Sequence, residues 1–328
     1  MYDIITIGSA VQDIFLQSKD FLVMKSPKFK TGLGECFSYG SKIEIKDLRV
    51  DIGGGATNAS VTFANLGFKA GVFSYVGNDL EGQYIINGMA EYGVETRLLR
   101  VHPKLQTGRS IILMTASGDR TVLTYRGASG EFSARHIHES TFQTKWIYLT
   151  SVGGNLSFIR SLLQFARAHE IRVAWNPGSE ELAAGLKKLG SLMRNVDVVI
   201  LNTEEAAALA SCSVTNVKTM LRVLEKYPRV AVTISASKKG AYVASDGRRV
   251  FAKAIASVKV VNTTGAGDAF GSGFVAGLML KNDAEYAIRV AMANSQTVIQ
   301  KMGAKNGLLE HLPHPYMSKT LISEIRSH

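Results

Sequence analysis

The sequence predicts an α/β fold, a doubly wound and mostly parallel sheet with helices on both faces. Two observations carry this expectation. After about residue 50, short β-rich runs alternate with helix-length amphipathic segments, as strands joined by crossover helices do. Apolar runs also lead into turns that open helices, as after Leu201 and after Val261. Ligands of such sheets bind beyond the carboxyl ends of the strands. At 328 residues, 46% hydrophobic and 20% charged, the chain can bury a large core. It shows no repeat and, with six prolines, no Pro-rich boundary, so residues 1–328 read as a single domain.

In chain order, Met1-Tyr2-Asp3-Ile4-Ile5-Thr6-Ile7-Gly8 reads as a first buried strand, without the basic start or cleavage site of a signal peptide. Strands are expected at Gly71–Gly77, Trp146–Leu149, Ile171–Trp175, Val196–Leu201 and Val230–Ile234, where β-branched and aromatic residues cluster. Helical spacing of apolar residues predicts helices over Asn58–Leu66, Leu156–His169, Glu180–Met193 and Asn216–Lys226. Val260 and Val261 read as the end of a further strand before an apolar helix through Phe274, Val275 and Leu278. Two stretches break the alternation and carry a β pattern. One is Glu35–Val50, with Ile43, Ile45 and Leu48; the other is Gly108–Tyr125, with Ile111, Leu113, Val122 and Leu123 around a Ser117-Gly118-Asp119 turn.

Composition narrows the function classes. Only Cys36 and Cys212 are present, without CxxC or zinc spacing, so neither a disulfide framework nor a metal site is supported, and a reducing cytoplasm fits. No run approaches a membrane span. The net charge of +11 is scattered, with short clusters such as Lys25–Lys30 and Lys238-Lys239 and no accompanying nucleic-acid motif. Nucleic acid and membrane are therefore not expected partners.

Chemistry concentrates in a few motifs. In Asn262-Thr263-Thr264-Gly265-Ala266-Gly267-Asp268 the small residues leave backbone N–H groups facing outward at a helix start, an anion site. Asp268, beside it, is placed as a base for a nucleophile attacking a bound phosphate; a dipole-favoured helix start is the structural alternative. Gly53-Gly54-Gly55-Ala56-Thr57-Asn58 is not GxGxxG, and no strand clearly precedes it, so a dinucleotide fingerprint is not supported. Asn58, at the head of the helical pattern through Val61 and Leu66, can serve as a helix cap. Asp13, following Gly8-Ser9-Ala10, is an acceptor-only group suited to vicinal hydroxyls or a solvated loop acid. Asn202 and Glu205 have the spacing of a capping box. No GxxxxGK[ST] occurs.

Together these residues resemble the ribokinase family of carbohydrate kinases, also called the phosphofructokinase-B family, over nearly the whole chain. The resemblance implies a ribokinase-like fold with a small β-sheet lid, built here from segments near 14–50 and 107–126, which often pairs with another subunit as a homodimer; a plain surface hairpin is the alternative. It implies that Asp268 is the catalytic base and that Gly265, Ala266 and Gly267 form the anion hole. Asp13, Gly54, Gly55 and Asn58 would bind the sugar, with Arg109 joining from the lid. Asn202 and Glu205 would organise magnesium. Thr233, Ser235 and Gly240 would contact the nucleotide, and Asn294, on the last helix of the Ala291–Lys305 region, would border adenine. The family commonly has Asp where this chain has Asn262, so activation by a monovalent cation such as K⁺ is not supported. Ribokinases proper carry a Lys in the Gly-Gly element and a Glu after a middle strand, both absent here, so ribose specificity is not supported either.

The resulting expectation is a cytoplasmic, ATP- and Mg²⁺-dependent phosphotransferase acting on a hydroxyl of a sugar or sugar-like molecule. A nucleoside kinase of the same family is the alternative, with Phe15, Phe37 and Tyr39 as a slot for the base. A non-catalytic sugar-binding regulator is the alternative from another class, and an intact Asp268 with its anion turn counts against it.

Overall fold

Ile4, Ile5 and Ile7 make strand β1 (Tyr2–Ile7) an apolar run buried on both faces, the signature of a strand inside a parallel sheet. The computed structural model describes residues 1–29, 32–115 and 120–325. After Gly8-Ser9-Ala10 the chain forms β2 (Val11–Gln17), β3 (Leu22–Lys25), β4 (Leu33–Cys36) and β5 (Asp47–Gly53) before its first helix, α1 (Gly55–Asn65). Then follow β6 (Ala70–Gly77), α2 (Leu80–Glu91), β7 (Leu99–His102), β8 (Gly108–Met114), β9 (Arg120–Tyr125) and β10 (Thr144–Leu149). The alternating part continues with α3 (Leu156–Ala168), β11 (Arg172–Trp175), α4 (Ser179–Leu182), α5 (Gly185–Met193), β12 (Val198–Asn202), α6 (Thr203–Ala210) and α7 (Val217–Leu224). The chain closes with β13 (Ala231–Ser235), β14 (Gly240–Ser245), β15 (Arg248–Lys253), α8 (Ala266–Lys281), α9 (Ala284–Val298), α10 (Pro315–Lys319) and β16 (Ile322–Glu324).

The main sheet has the order β16-β15-β14-β13-β12-β11-β10-β1-β6-β7. It is parallel from β13 to β7, and β14, β15 and β16 add an antiparallel edge. Apolar layers cover both faces. On one, Phe158, Leu162, Leu192 and Leu221 from the helices pack on Ile5, Ile147, Val173 and Val199. On the other, Phe63, Phe274 and Ile288 pack on Ile4, Tyr148, Ala174 and Val198. Helix starts are fixed by side chains that satisfy the first backbone donors: Asp79, Asn155 and Asn216 accept from Gly82, Phe158 and Thr219. Helix α8 is buried from Ala269 to Leu278, and Gly273 and Gly277 let the Ala291 and Ala287 backbone of α9 lie against it.

A second sheet, of order β5-β2-β8-β9, stands apart from the first. Residues 11, 13 and 15 of β2 share one face, in register with 108, 110 and 112 of β8. The expected small sheet therefore exists, with two differences. Ile43 and Ile45 lie in an irregular stretch between β4 and β5, and the Ser117-Gly118-Asp119 turn lies outside the described residues.

Three further expectations are corrected. The helix expected over Glu180–Met193 divides into α4 and α5, because Gly185 takes φ 73°, outside the helical range. Val260 and Val261 do not end a strand; they are exposed, and the Val261 N–H donates to Ile299 O, at the end of α9. The glycine run is preceded by a strand, β5. Among the described residues no helix is long and apolar enough to cross a membrane.

Candidate active site

The second sheet leans over the carboxyl ends of the main-sheet strands and encloses a cavity of about 260 Å³. From β2, β8 and β9 come Val11, Asp13, Ser110, Ile112, Arg120, Val122 and Thr124; the floor is Gly54, Gly55, Asn58, Thr264, Gly265 and Asp268. The pocket-facing residues of each strand are two apart, as the alternation of side chains across a sheet requires.

Asp13 is buried at 6% exposure, its Oδ1 lacks a hydrogen-bond partner, and Ser110 bonds the carboxyl. It can lie so deep because Gly53 has no side chain; a Cβ there would collide with the Asp13 carboxylate. Burial pushes Asp13 up to about 6, against the opposing pull of the Ser110 hydrogen bond and the Lys305 ammonium. The solvated-acid reading is thereby set aside.

Asn58 does not cap α1, which begins three residues earlier after Gly54. Its Nδ2 donates to Asp268 Oδ2 at 2.8 Å and its Oδ1 accepts from Lys305 Nζ at 2.5 Å. Asp268 occupies the first turn of α8. Burial raises its pKa, while the Asn58 hydrogen bond and the Lys305 charge pull it down.

Gly265 caps α8 at φ 77°, a conformation open to glycine, and a Cβ there would also meet Ala304. Ala266 N–H turns back to Thr263 O at 3.3 Å, so of the three expected anion-hole residues it is the one with an internal partner. Space around Gly267 is open, and Thr264 Oγ1 is buried without a partner. An orphaned hydroxyl beside unpaired N–H groups suits an incoming phosphate oxygen.

Farther along the same sheet edge, Asn202 and Glu205 form the capping box: Asn202 Oδ1 accepts from Glu205 N and Glu205 Oε2 from Asn202 N, each at 2.9 Å. Burial raises the Glu205 pKa. Ser235 is paired in register with Asn202 and partly exposed. Thr233 is fully buried with its hydroxyl unpartnered. Gly240, at φ 130°, opens β14 where a side chain would strike Ala252 O, so packing alone accounts for it. Among the described residues no cluster of three or more His, Cys, Asp or Glu could hold a metal by itself.

Two expected positions fall elsewhere. Arg109 lies on the opposite face of β8 from Ser110 and pairs with Glu81 at 2.8 Å; strand alternation turns it out of the cavity. Asn294 is fully buried, donating to Ala269 O and Thr62 Oγ1 and accepting from Leu309 N. All of its polar groups are engaged within the protein, which leaves none for hydrogen bonding to a nucleotide. Asn262 Oδ1 accepts from Thr264 N at 2.7 Å and shapes the turn before the helix. Lys305, Arg120 and Arg126 were not anticipated as site residues. Arg126 lines the cavity while holding Glu180, and Arg120 reaches Thr263 Oγ1. A period-two count from Asp13 through the Ser110 register would have favoured Arg120 over Arg109; no local pattern marks Lys305.

Comparison with known proteins agrees with this fold. The pfkB family carbohydrate kinase model matches residues 4–311. The ribokinase of Haemophilus influenzae is 25% identical over 288 residues, 84% of this chain and 92% of that protein. The structure of adenosine kinase from Sinorhizobium meliloti superposes with a TM-score of 0.77 at 25% identity, covering 93% of this chain and 95% of the other. That of ribokinase from Cryptococcus neoformans in complex with ADP gives 0.74 at 20% identity, covering 94% and 97%.

The buried carboxylate leads to a stability test. A carboxyl raised from 3.8 to about 6 favours the folded state fully below about 3.8 and loses that contribution as pH rises through 6. Asp13→Asn is therefore expected to stabilise the protein at pH 7.5, by roughly 1–3 kcal/mol and a few degrees in Tm, with the gain shrinking toward pH 4. Paired thermal melts at the two pH values check this, and a variant less stable than wild type at pH 7.5 contradicts it.

Proposed function

This chain belongs to the pfkB family of carbohydrate kinases, and we propose that it moves the γ-phosphoryl group of ATP onto a hydroxyl of a sugar or sugar-like acceptor bound in the pocket beneath the small sheet. The observation that carries this reading is the placement of Asp268 between two kinds of group. Hydroxyl-binding Asp13 and Asn58 lie on one side, and the free end of α8 lies on the other. As the acceptor oxygen bonds to the γ-phosphorus, Asp268 takes the hydroxyl proton. The bond from phosphorus to the β–γ bridging oxygen breaks, and ADP leaves with that electron pair. The N–H groups of Gly265 and Gly267, with the Thr264 hydroxyl, receive the charge on the equatorial oxygens.

Asn202, Glu205 and Ser235 meet at adjacent strand ends, where a nucleotide reaching the α8 terminus places its phosphates. Asn202 and Glu205 fit a magnesium ion held largely through water. Bound there, the ion would neutralise phosphate charge. A monovalent-cation role is not proposed.

The pocket favours a sugar over a nucleoside. Among the described residues its lining is hydroxyls, carboxylates, an amide, aliphatic side chains and the guanidinium groups of Arg120 and Arg126, with no aromatic ring. Phe15 is buried in the sheet, and Phe37 and Tyr39 are exposed, outside the cavity lining. The other face of the small sheet presents Leu48, Val50, Ile111, Leu123 and Tyr125, all exposed. An apolar face of this kind suits a second copy of the chain, and we take the protein to be a homodimer through it.

Three outcomes are expected. Asp268→Asn lowers turnover by roughly 10²-fold or more while nucleotide affinity is kept, read across D-ribose, D-fructose, fructose 6-phosphate and adenosine with ATP and magnesium; near-normal turnover removes Asp268 from the role of base. For Glu205→Gln, a magnesium titration of turnover shows a raised requirement, whereas a helix cap alone predicts only a stability loss of about 1 kcal/mol. Light scattering gives twice the chain mass for wild type and the single chain mass for Leu123→Glu; a monomeric wild type excludes the dimer.

A further inference from the structure

Beneath the acceptor pocket lies a lysine for which the phosphoryl-transfer scheme has no direct use. Lys305, in the loop after α9, is buried at 6% exposure and absent from the residues lining the pocket. Its Nζ donates to Ile52 O at 2.6 Å, Asn58 Oδ1 at 2.5 Å and Thr57 Oγ1 at 3.2 Å. Three protons thus meet three acceptors, the full capacity of an ammonium group. Taking that charge out of water costs several kcal/mol before pairing, and apolar packing would close the same gap without it.

What the charge accomplishes is visible at Asn58. An ammonium only donates, so the amide must turn its oxygen to Lys305, and its nitrogen is then left to donate to Asp268 Oδ2 at 2.8 Å. The flipped amide would set donor against donor at Lys305 and acceptor against carboxylate at Asp268. One oxygen of Asp268 is consequently pinned, and the other is left for the acceptor hydroxyl.

We propose that Lys305 is a positioning residue of the phosphoryl-transfer site, its ammonium fixing the Asn58 amide so that Asp268 is held in the orientation that accepts the hydroxyl proton. This rests on the reading of Asp268 as base. The groups facing Lys305 are Asp13 on β2, Asp51 on β5 with its partner Arg49, and Asp268 on α8. On its other side Lys305 lines a second cavity together with Tyr92, Lys301 and Glu310. Burial lowers the Lys305 pKa to about 8, although the three aspartates pull it up. Its charge is therefore lost as pH rises through about 8, and with it the constraint on the amide.

The test uses the purified full chain with ATP, magnesium and whichever sugar of the panel named above wild type turns over fastest. Lys305→Met, which keeps length and removes charge, and Asn58→Ala are each expected to lower kcat about 10- to 100-fold, with the KM for ATP unchanged. The double variant should be no more than about twofold worse than the weaker single one, because both act through one contact. Wild-type kcat/KM should fall on the alkaline side with a midpoint near pH 8, and the fall should be missing in both single variants. A Lys305→Met enzyme within about twofold of wild type in kcat overturns the inference, as do losses that multiply in the double variant. Should Lys305→Met fail to fold, the pH profiles of wild type and Asn58→Ala decide alone: an alkaline fall that persists without the Asn58 side chain overturns it. A wild type that turns over none of the panel, or an Asp268→Asn that stays active, refutes instead the reading of the site on which the inference stands.

Discussion

The site depends on one balance of charge. Asp13 is buried and Asp268 half-buried at the wall of one pocket, and burial works against the ionised form of each. The buried ammonium of Lys305 offsets that effect from below. Low local dielectric strengthens the pairing and equally penalises any member left alone. Much local architecture follows. The β5–α1 junction brings Ile52 O and Thr57 to the lysine, Gly53 makes room for Asp13, and the loop from Gly303 to Gly307 ties the end of the chain to the root of the small sheet. Residues from opposite ends of the sequence are joined by hydrogen bonds more than two hundred positions apart.

The doubly wound sheet supplies the remaining geometry. Its parallel strands bring the β12 and β13 ends side by side, and α8 starts against the pocket with the Gly265 and Gly267 N–H groups unpaired. The small sheet, parallel between β2 and β8 and antiparallel at its edges, brings Asp13, Ser110 and Thr124 to the pocket on one face and turns an apolar face outward. A polar inner face suits hydroxyl recognition, whereas the outer face gains most from being covered. Both follow from the period-two alternation of the same strands.

Much of this was legible in the sequence, and the reasons are physical. Buried parallel strands are continuous apolar runs, so β6, β10, β11, β12 and β13 were found within one or two residues. Asp268 and the glycines before it stand out because a helix start bare of side chains has a local signature. What failed depended on partners distant in sequence. Arg109 was named and Arg120 was not, because pocket orientation is set by pairing β2 with β8, and a one-residue difference reverses the face. Val260 and Val261 have strand composition, but the Val261 N–H bonds Ile299 O at the end of α9, and neither residue belongs to a strand. Asn294 looked available because a buried Ala-rich helix and a ligand-lining one read alike. Lys305, following Ala304 in an irregular loop, resembles a solvated lysine until the fold carries it under Asn58.

The most direct measurement is a crystal structure of the protein with a non-hydrolysable ATP analogue and a sugar acceptor. The account predicts one acceptor hydroxyl within about 3 Å of an Asp268 carboxylate oxygen, another hydroxyl on Asp13, and the γ-phosphate against the N–H groups of Gly265 and Gly267. A γ-phosphate bound away from the start of α8, or an acceptor that leaves Asp268 without a hydroxyl, would contradict it.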